Sequence, residues 1–548
     1  MKIRSEILRL YRTVHTWAGI GAGVLLFIGF FGGALTMFKE PLERWASPPP
    51  AIPATVPAPA RLDALVRDVV RDHPAARAGF TVHLKPTERD AAPVSWHEGE
   101  DGHDSLLAAP RWLADAGPDG TVVRRQQPTM LAELIDMLHR TGGIPGTLGD
   151  EYAGVYVMGV AAVLYFLALV SGVVLLLPTL VKDFFAVRRG KNRKRFWLDV
   201  HNVLGIASLP FHIVISLTAI VFAFHDQAYG ALRGVVYGSQ PLFAHPHPGT
   251  ARQPVERLLA PSALAERVRR AAPGAEPAEL TYMDLEGPRP LVRAAIDSPR
   301  DMVQGARHGY VIVEPYTGAI LDTSMVPGRR GTYSALVTSF FTLRFGSYGG
   351  LLTRWAYFVS GLAGAVLFYT GNLLWIEKRR KQQLRNGALP AQTRNTYLVA
   401  AATVGVCLGS VAGVGAALAA GKWLHAAGID ANAGSMAVYY AVFLGCVGWA
   451  FVLGAARAAG HLLGLCAALA LALPATSLCA HLLPGLGVWP AASGPALGVD
   501  AVALLAALLL AWGARRAARR ARTGPADSVW SAGAAAPQPA EALPENVA

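Results

Sequence analysis

With 548 residues, 53% of them hydrophobic and only 16% charged, at a mean hydropathy of +0.34, the chain is too apolar for an ordinary soluble protein. Its formal charge of +13 sits mostly in short basic clusters beside apolar runs, so it reads as membrane topology and lipid headgroup contact and not as nucleic-acid binding. A spanning helix needs about 20 apolar residues. The candidate runs are Trp17–Phe38, Tyr152–Leu180, Trp197–Phe224, Leu351–Ile376, Tyr397–Ala420, Met436–Ala455, His461–Leu483 and Val499–Trp512.

Residues 1–45 hold the basic stretch MKIRSEILRLYR and the first span, which no small-residue cleavage site follows and which is therefore expected to stay in place. Residues 46–138 form a first polar segment: SPPPAIPATVPAPA predicts a stiff linker, LDALVRDVVRD a helix and FTVHLKP a strand. Residues 139–227 hold spans two and three, joined by KDFFAVRRGKNRKR. The second polar segment, 228–345, repeats the order of the first, with PSALAERVRRAAP as helix and ELTYMDL, LVRAAID and HGYVIVEPYTGAILDTS as strands. Within the last of these, Tyr316-Thr317-Gly318 is the expected hairpin turn. Span four and the basic loop EKRRKQQLRNG take 346–395, spans five to eight take 396–522, and 523–548 predicts a disordered tail.

Short cytoplasmic loops carry the Lys/Arg excess. That rule places both termini in the cytoplasm and both polar segments on the periplasmic side. The expected fold is mostly α: a polytopic helical membrane protein of about eight spans with two periplasmic α+β insertions. The cysteines Cys407, Cys446, Cys466 and Cys479 fall in the C-terminal spans without C-x-x-C spacing, which speaks for packing and against a cysteine-held cluster.

The stretch WLDVHNVLGIASLPFH places His201 and His212 in one apolar run. At about 100° per residue, eleven residues return both rings to one helix face. Ionisable residues in spans are costly and usually functional. His15, at the start of span one, and His139, before span two, extend the set.

Four motifs, LYRTVHTWAG at 10–19, LHRTGGIPG at 138–146, DVHNVLGIASLPFH at 199–212 and RWAYFVSGLAGAVLFYTGNLLW at 354–375, resemble the PepSY-associated transmembrane family, and VIVEPYTGAIL at 311–321 resembles the end of a PepSY domain. The resemblance covers about residues 8–380 and leaves spans five to eight as an extension. It implies two periplasmic PepSY-like insertions in an iron-regulated, inner-membrane protein that binds one or two b-type haems and reduces a ferric siderophore or other ferric chelate. In that setting His15 and His201 are the natural axial pair near the cytoplasmic leaflet, and His212 with His139 is the pair for a second haem. One departure stands out: Arg344, in LRFG, occupies a position where the family pattern leads one to expect histidine.

Gly19, Gly21, Gly23 and Gly205 thin the helix faces near these histidines, for a macrocycle or for close helix packing. Arg12, Arg195 and Arg344 are candidate propionate partners, although headgroup contact is the plainer reading. Trp17, Trp197, Trp355 and Trp375 read as interface anchors. Of the remaining histidines, His225 reads as surface, and His73, His83, His97, His103, His245, His247 and His308 lack ligand spacing. No flavin or nicotinamide fingerprint is present, so the donor is expected to be a quinol or a separate cytoplasmic reductase. A membrane-anchored PepSY binding or peptidase-regulating protein is the alternative, and it needs no intramembrane histidines. A transporter built on spans five to eight would have His461 and His481 as its polar candidates.

Overall fold

The structure, a computed structural model, describes residues 4–49, 56–85, 92–97, 111–118, 120–127, 129–149, 151–180, 187–188, 193–232, 253–297, 309–326, 332–384 and 389–533. In chain order the helices are α1 (Ser5–Thr36), α2 (Lys39–Ala46), α3 (Pro59–Asp72), α4 (Leu131–Thr141), α5 (Ala153–Leu176), α6 (Arg193–Ala207), α7 (Leu209–Leu232), α8 (Pro261–Ala271), α9 (Thr332–Phe345), α10 (Gly350–Arg379), α11 (Arg394–Ala426), α12 (Ala431–Leu482) and α13 (Gly494–Thr523). The strands are β1 (Gly79–His83), β2 (Val94–His97), β3 (Arg111–Gly117), β4 (Gly120–Gln126), β5 (Thr147–Leu148), β6 (Glu151–Tyr152), β7 (Glu276–Met283), β8 (Leu291–Asp297), β9 (Gly309–Val313) and β10 (Ile320–Asp322).

Two units result: a helical one of residues 1–46, 131–224 and 357–548, and a second of residues 47–130 and 225–356. The first insertion therefore ends at Met130 and not at 138, because α4 packs onto α1. The second begins at His225, next to a break in α7 at Phe224 (φ −121°, ψ 16°).

Among the described residues seven helices are long and apolar enough to cross a membrane: α1, α5, α7, α10, α11, α12 and α13. At 52 residues, α12 would measure about 78 Å if straight, more than twice the hydrocarbon thickness. It turns back at Gly454 (φ 74°, ψ 156°), a conformation that suits glycine. Before that turn, Tyr439, Cys446 and Ala450 face Gly413, Gly409 and Gly405 of α11, an antiparallel run. After it, Cys466 Sγ donates to the Leu408 carbonyl at 3.4 Å, and Trp423 Nε1 donates to Thr476 Oγ1 at 3.1 Å, so the chain runs back parallel to α11. The helix thus supplies two passes, and the helical unit is the expected polytopic one. Span three differs from the single helix expected over Trp197–Phe224. It is α6 followed by α7 with a break at Ser208, since Pro210 has no N–H to continue the ladder and its ring crowds the preceding turn.

The two insertions build one antiparallel sheet in the order β10-β9-β8-β7-β1-β2-β3-β4. Each contributes a helix and four strands, and the joint is β1 against β7, with Thr81 opposite Thr281 at a pseudo-twofold centre. Beside it, Phe80 stacks on Tyr282 at 4.2 Å between ring centres. The alternation of these strands puts Phe80, Val82, Leu280 and Tyr282 into a common core with Leu65 and Val69 of α3 and Leu264 and Val268 of α8. The expected hairpin joins β9 to β10. Gly318 takes φ 67°, and the buried Glu314 carboxylate accepts from the Tyr316 amide at 3.0 Å and the Thr317 hydroxyl at 2.6 Å.

The tail is not disordered from residue 523 onward. Val529 and Trp530 are buried in a cluster with Trp375, Ile376 and Ala400, and Trp197 and Tyr369 pack against that cluster. Asp527 pairs with Arg380 and accepts from the Gln383 amide at 2.9 Å. Two apolar side chains with a buried ion pair are enough to dock a segment whose composition is otherwise that of a disordered chain. Residues 534–548 lie outside the described residues.

Burial alone would raise the Asp527 carboxyl, but the hydrogen bonds from Arg380 and from the Gln383 amide outweigh it and hold it below the usual carboxylate range. A carboxyl depressed in this way stabilises docking above its free pKa and loses that contribution as pH falls through its folded value. The tail should therefore stay docked at neutral pH and loosen only below about pH 4. Asp527→Asn or Trp530→Ala should loosen the chain after the already exposed Arg522 and speed tryptic cleavage there at pH 7.5, with the wild type cut much more slowly. Equal rates would show that the clasp contributes nothing.

Candidate functional site

Of the helical unit's histidines, His15, His139, His201 and His212 are the four expected at the site, and three of them are seated in the same way. His15 of α1 donates from Nδ1 to the Ala168 carbonyl of α5 at 2.7 Å. A Cβ at Gly172, four residues further along α5, would stand 2.9 Å from His15 Cε1. His139 of α4 donates from Nδ1 to the Gly29 carbonyl of α1 at 2.6 Å, and a Cβ at Gly33 would stand 2.8 Å from its ring. His201 of α6 has the Leu367 carbonyl of α10 as its backbone partner and lies 3.2 Å from Thr370 Oγ1, with Gly371 against its ring edge.

The physical logic is common to all three. A helical carbonyl keeps a second lone pair after accepting from residue i+4, and a glycine at i+4 removes the side chain that would cover it. A histidine on a neighbouring helix can then reach that oxygen. Because a carbonyl only accepts, His15 and His139 carry the proton on Nδ1 and keep a lone pair on Nε2. His201 does the same, since the Thr370 hydroxyl already donates to the Leu367 carbonyl at 2.9 Å and so accepts from Nδ1.

His15 and His201 are brought together, with ring centres 6.2 Å apart and planes at 85°. Two imidazoles sharing one metal at about 2 Å from each nitrogen would hold their ring centres roughly 6 Å apart. The ring centres of the pair lie at about the separation that two imidazoles holding one metal would have.

His212 is fully buried and is seated differently. Its Nε2 lies 2.8 Å from Ser208 Oγ, which itself donates to the Leu204 carbonyl at 2.6 Å. Nε2 therefore carries the proton, and Nδ1 has no hydrogen-bond partner. Phe30, Tyr165 and Phe211 surround the ring, and the buried Tyr165 hydroxyl is likewise without a partner. Two orphaned polar atoms in one aromatic pocket mark a place that can take a ligand.

The helix break at Ser208 does not separate His201 from His212. They face Gly371 and Gly364, two turns apart on α10. His139, on Gly29 and Gly33, and His212, on Phe30, adjoin the same turn of α1. That turn lies about 21 Å along the helix from His15.

The other expected residues divide. Gly19 faces open space, Gly21 barely reaches Leu164, Gly23 admits Asn372 and Gly205 faces Leu367, so none of them lies against a histidine ring. The glycines that do, Gly33, Gly172, Gly364 and Gly371, stand on the partner helices. For two of them the sequence carried a signal, the repeated dipeptide Ser171-Gly172 and Thr370-Gly371, a hydroxyl followed by a glycine. Arg195 engages Asp199 at 3.1 Å. Arg344 lies half-buried in the last turn of α9, in the other unit. Trp17 is exposed as an anchor would be, whereas Trp375 is buried beneath Arg379. His225 pairs with Asp226 at 3.2 Å, and His83 bonds Ser95 at 3.0 Å, while His103, His245, His247 and His308 lie outside the described residues.

Reading the sequence missed two charged residues of the extension, Lys422 and Asp500. Both are buried, and both contact Trp45. They were hidden because each stands near the end of an apolar run, where a charge reads as a boundary.

Adding a methyl group tests the seating. Gly172→Ala and Gly33→Ala should each cost about 1–3 kcal/mol through overpacking, whereas Gly19→Ala should be neutral or mildly stabilising. Thermal unfolding in detergent reads this, and combining Gly33→Ala with His139→Ala should recover part of the loss. Additive losses would mean that the ring is not what fills the space at Gly33.

The family model of the PepSY-associated TM region matches residues 12–378. No curated protein matches the chain. The match spans α1 to α10 and takes in His15, His139, His201 and His212, while α11 to α13 lie outside it. The chain belongs to the PepSY-associated transmembrane family.

Proposed function

From membership of this family, we propose that the chain is a b-type haem oxidoreductase of a bacterial inner membrane. It carries electrons from the cytoplasmic side or the quinol pool to a ferric chelate, such as a ferric siderophore, on the periplasmic side. The observation that supports this best is the His15–His201 pair, with Nδ1 of each ring committed and their centres 6.2 Å apart. No group of three or more His, Cys, Asp or Glu able to hold a bare metal ion occurs among the described residues. Two imidazoles suit an iron whose other ligands come with a macrocycle. His212 and His139, at one level of α1, are the residues for a second haem, and Arg344 stays a candidate for the departure from the family pattern.

Bound haem supplies one-electron chemistry at a potential set by its axial ligands and their surroundings. The chain's own groups prepare for it. The Ala168 carbonyl and the Thr370 hydroxyl fix the tautomers of His15 and His201 and make Nε2 the more basic donor. Phe27, Phe30, Tyr165 and Phe368 pack into one buried apolar cluster of the helical unit, with Phe30 and Tyr165 against His212. At the substrate, one electron suffices, because hard oxygen ligands hold Fe(III) better than Fe(II) and release the metal on reduction. The basic ends of the helices face the cytoplasm on this reading, and the sheet unit receives the chelate.

The test is the optical spectrum of the detergent-purified protein, oxidised and dithionite-reduced, with a haem count per chain. We expect a low-spin b-type spectrum that His15→Ala or His201→Ala diminishes and His225→Ala does not. A count near two would include the His212 level, and a count near one would confine haem to His15 and His201. Haem-free protein after expression with ample haem would sink the reading and leave a membrane-anchored PepSY binding protein.

A further inference from the structure

We propose that the C-terminal helices α11 to α13 form a collar that holds α4, and with it His139, against α1. The inference rests on the histidine reading above for its purpose but not for its geometry. At 11 residues α4 is too short to span a bilayer, and it packs along α1 through Gly29, Gly32 and Gly33. Nothing in such a short helix fixes its height or rotation by itself, so the grip must come from elsewhere.

Three contacts supply it. Gly421 of α11 leaves room for Leu131 at the start of α4, where any Cβ would overlap that side chain. Tyr440 of α12 donates to the Gly143 carbonyl just past the end of α4 at 3.2 Å, and the buried Tyr439 lies beside the same residue. Lys39 of α2 reaches Glu133 at 2.5 Å and Asp136 at 3.5 Å on the exposed side of α4, where Arg140 balances the remaining charge.

The helix α2 is itself locked to the extension. Trp45 Nε1 donates to Asp500 of α13 at 2.8 Å, and Trp489 Nε1 donates to the Trp45 carbonyl at 3.1 Å. Lys422 of α11, fully buried, donates to the Trp489 carbonyl at 3.1 Å and stands 3.8 Å over the Trp45 ring. A buried lysine and aspartate cost more than an apolar pair would, and what such groups provide is a single permitted arrangement. The arrangement they fix is the position of α2, and through Lys39 that of α4. The extension has this role without being part of the matched family region.

The first readout needs no haem. In a background lacking Cys407, Cys446, Cys466 and Cys479, Gly32→Cys with His139→Cys would place two Cβ atoms close to disulfide spacing, since a Cβ at Gly32 lies 3.2 Å from His139 Cβ. Oxidative trapping should be efficient in that background and fall several-fold on adding Lys422→Met or Tyr440→Phe. The tyrosine variant removes one hydroxyl and guards against simple misfolding, and size-exclusion elution checks both. The second readout is a potentiometric titration of the histidine-intact protein. Lys422→Met and Tyr440→Phe should shift or remove the haem component that His139→Ala also alters, and leave the component sensitive to His201→Ala in place. Trapping unchanged by both variants overturns the collar even if haem is present. Trapping that responds in a haem-free protein upholds the collar and discards the redox reading.

Discussion

An imidazole in hydrocarbon has two nitrogens to satisfy and few partners to choose from, since every helical carbonyl is already engaged by its own helix. This chain solves the problem with the second lone pair of a carbonyl, uncovered by a glycine one turn further on. The solution recurs at Ala168 and Gly172, Gly29 and Gly33, and Leu367 and Gly371. Each instance joins two different helices, so the histidine seats are also the contacts that set the spacing of α1, α4, α5, α6 and α10. Chemistry and packing are not separable here. Removing a ring leaves a notch, and filling a notch expels a ring.

What the sequence made legible was the part written in local patterns. Twenty-residue apolar runs, basic loops between them and the alternation of FTVHLKP or HGYVIVEP depend on near neighbours. The helical passes and the hairpin turn at Gly318 could be anticipated on that basis, whereas the expectation that His15 lies near His201 came with the family resemblance. Most of the misses are non-local. Gly19, Gly21 and Gly23 drew attention because they follow His15 in the chain, but the glycines against the rings lie on other helices. Trp530 looked like one aromatic in a disordered tail, because its partners near residues 375 and 400 are far away in sequence. Pro210 was visible within span three, and its missing N–H should have announced the break at Ser208.

The joining of the two insertions belongs to the same class. Each reads as a separate helix-and-strand module, and nothing within either one announces that its first strand pairs with the first strand of the other. The register Thr81 to Thr281 exists only in the folded chain. Its energetic meaning is clear once seen, since Phe80, Val82, Leu280 and Tyr282 fill one core. A four-stranded half alone would leave β1 or β7 as an open edge with a large aromatic beside it, an invitation to mispairing that the duplicated partner removes.

The bundle around the histidines is built to stay still. Gly23 approaches Asn372 closely, Asn372 in turn donates to Thr403 of α11 at 3.2 Å, and Gly361 of α10 packs against Ala34 of α1. Close backbone approaches and buried side-chain hydrogen bonds of this kind make an interior that resists sliding. A transporter needs two arrangements of its helices around a central path, and so needs interfaces that can be exchanged. A relay across about 30 Å of hydrocarbon needs the reverse, fixed positions at fixed separations. His15, His139 and His201, each held against a helix other than its own, have the fixed positions that the proposed relay would require. The charged residues Lys422 and Asp500 do not argue otherwise, since both are engaged with Trp45.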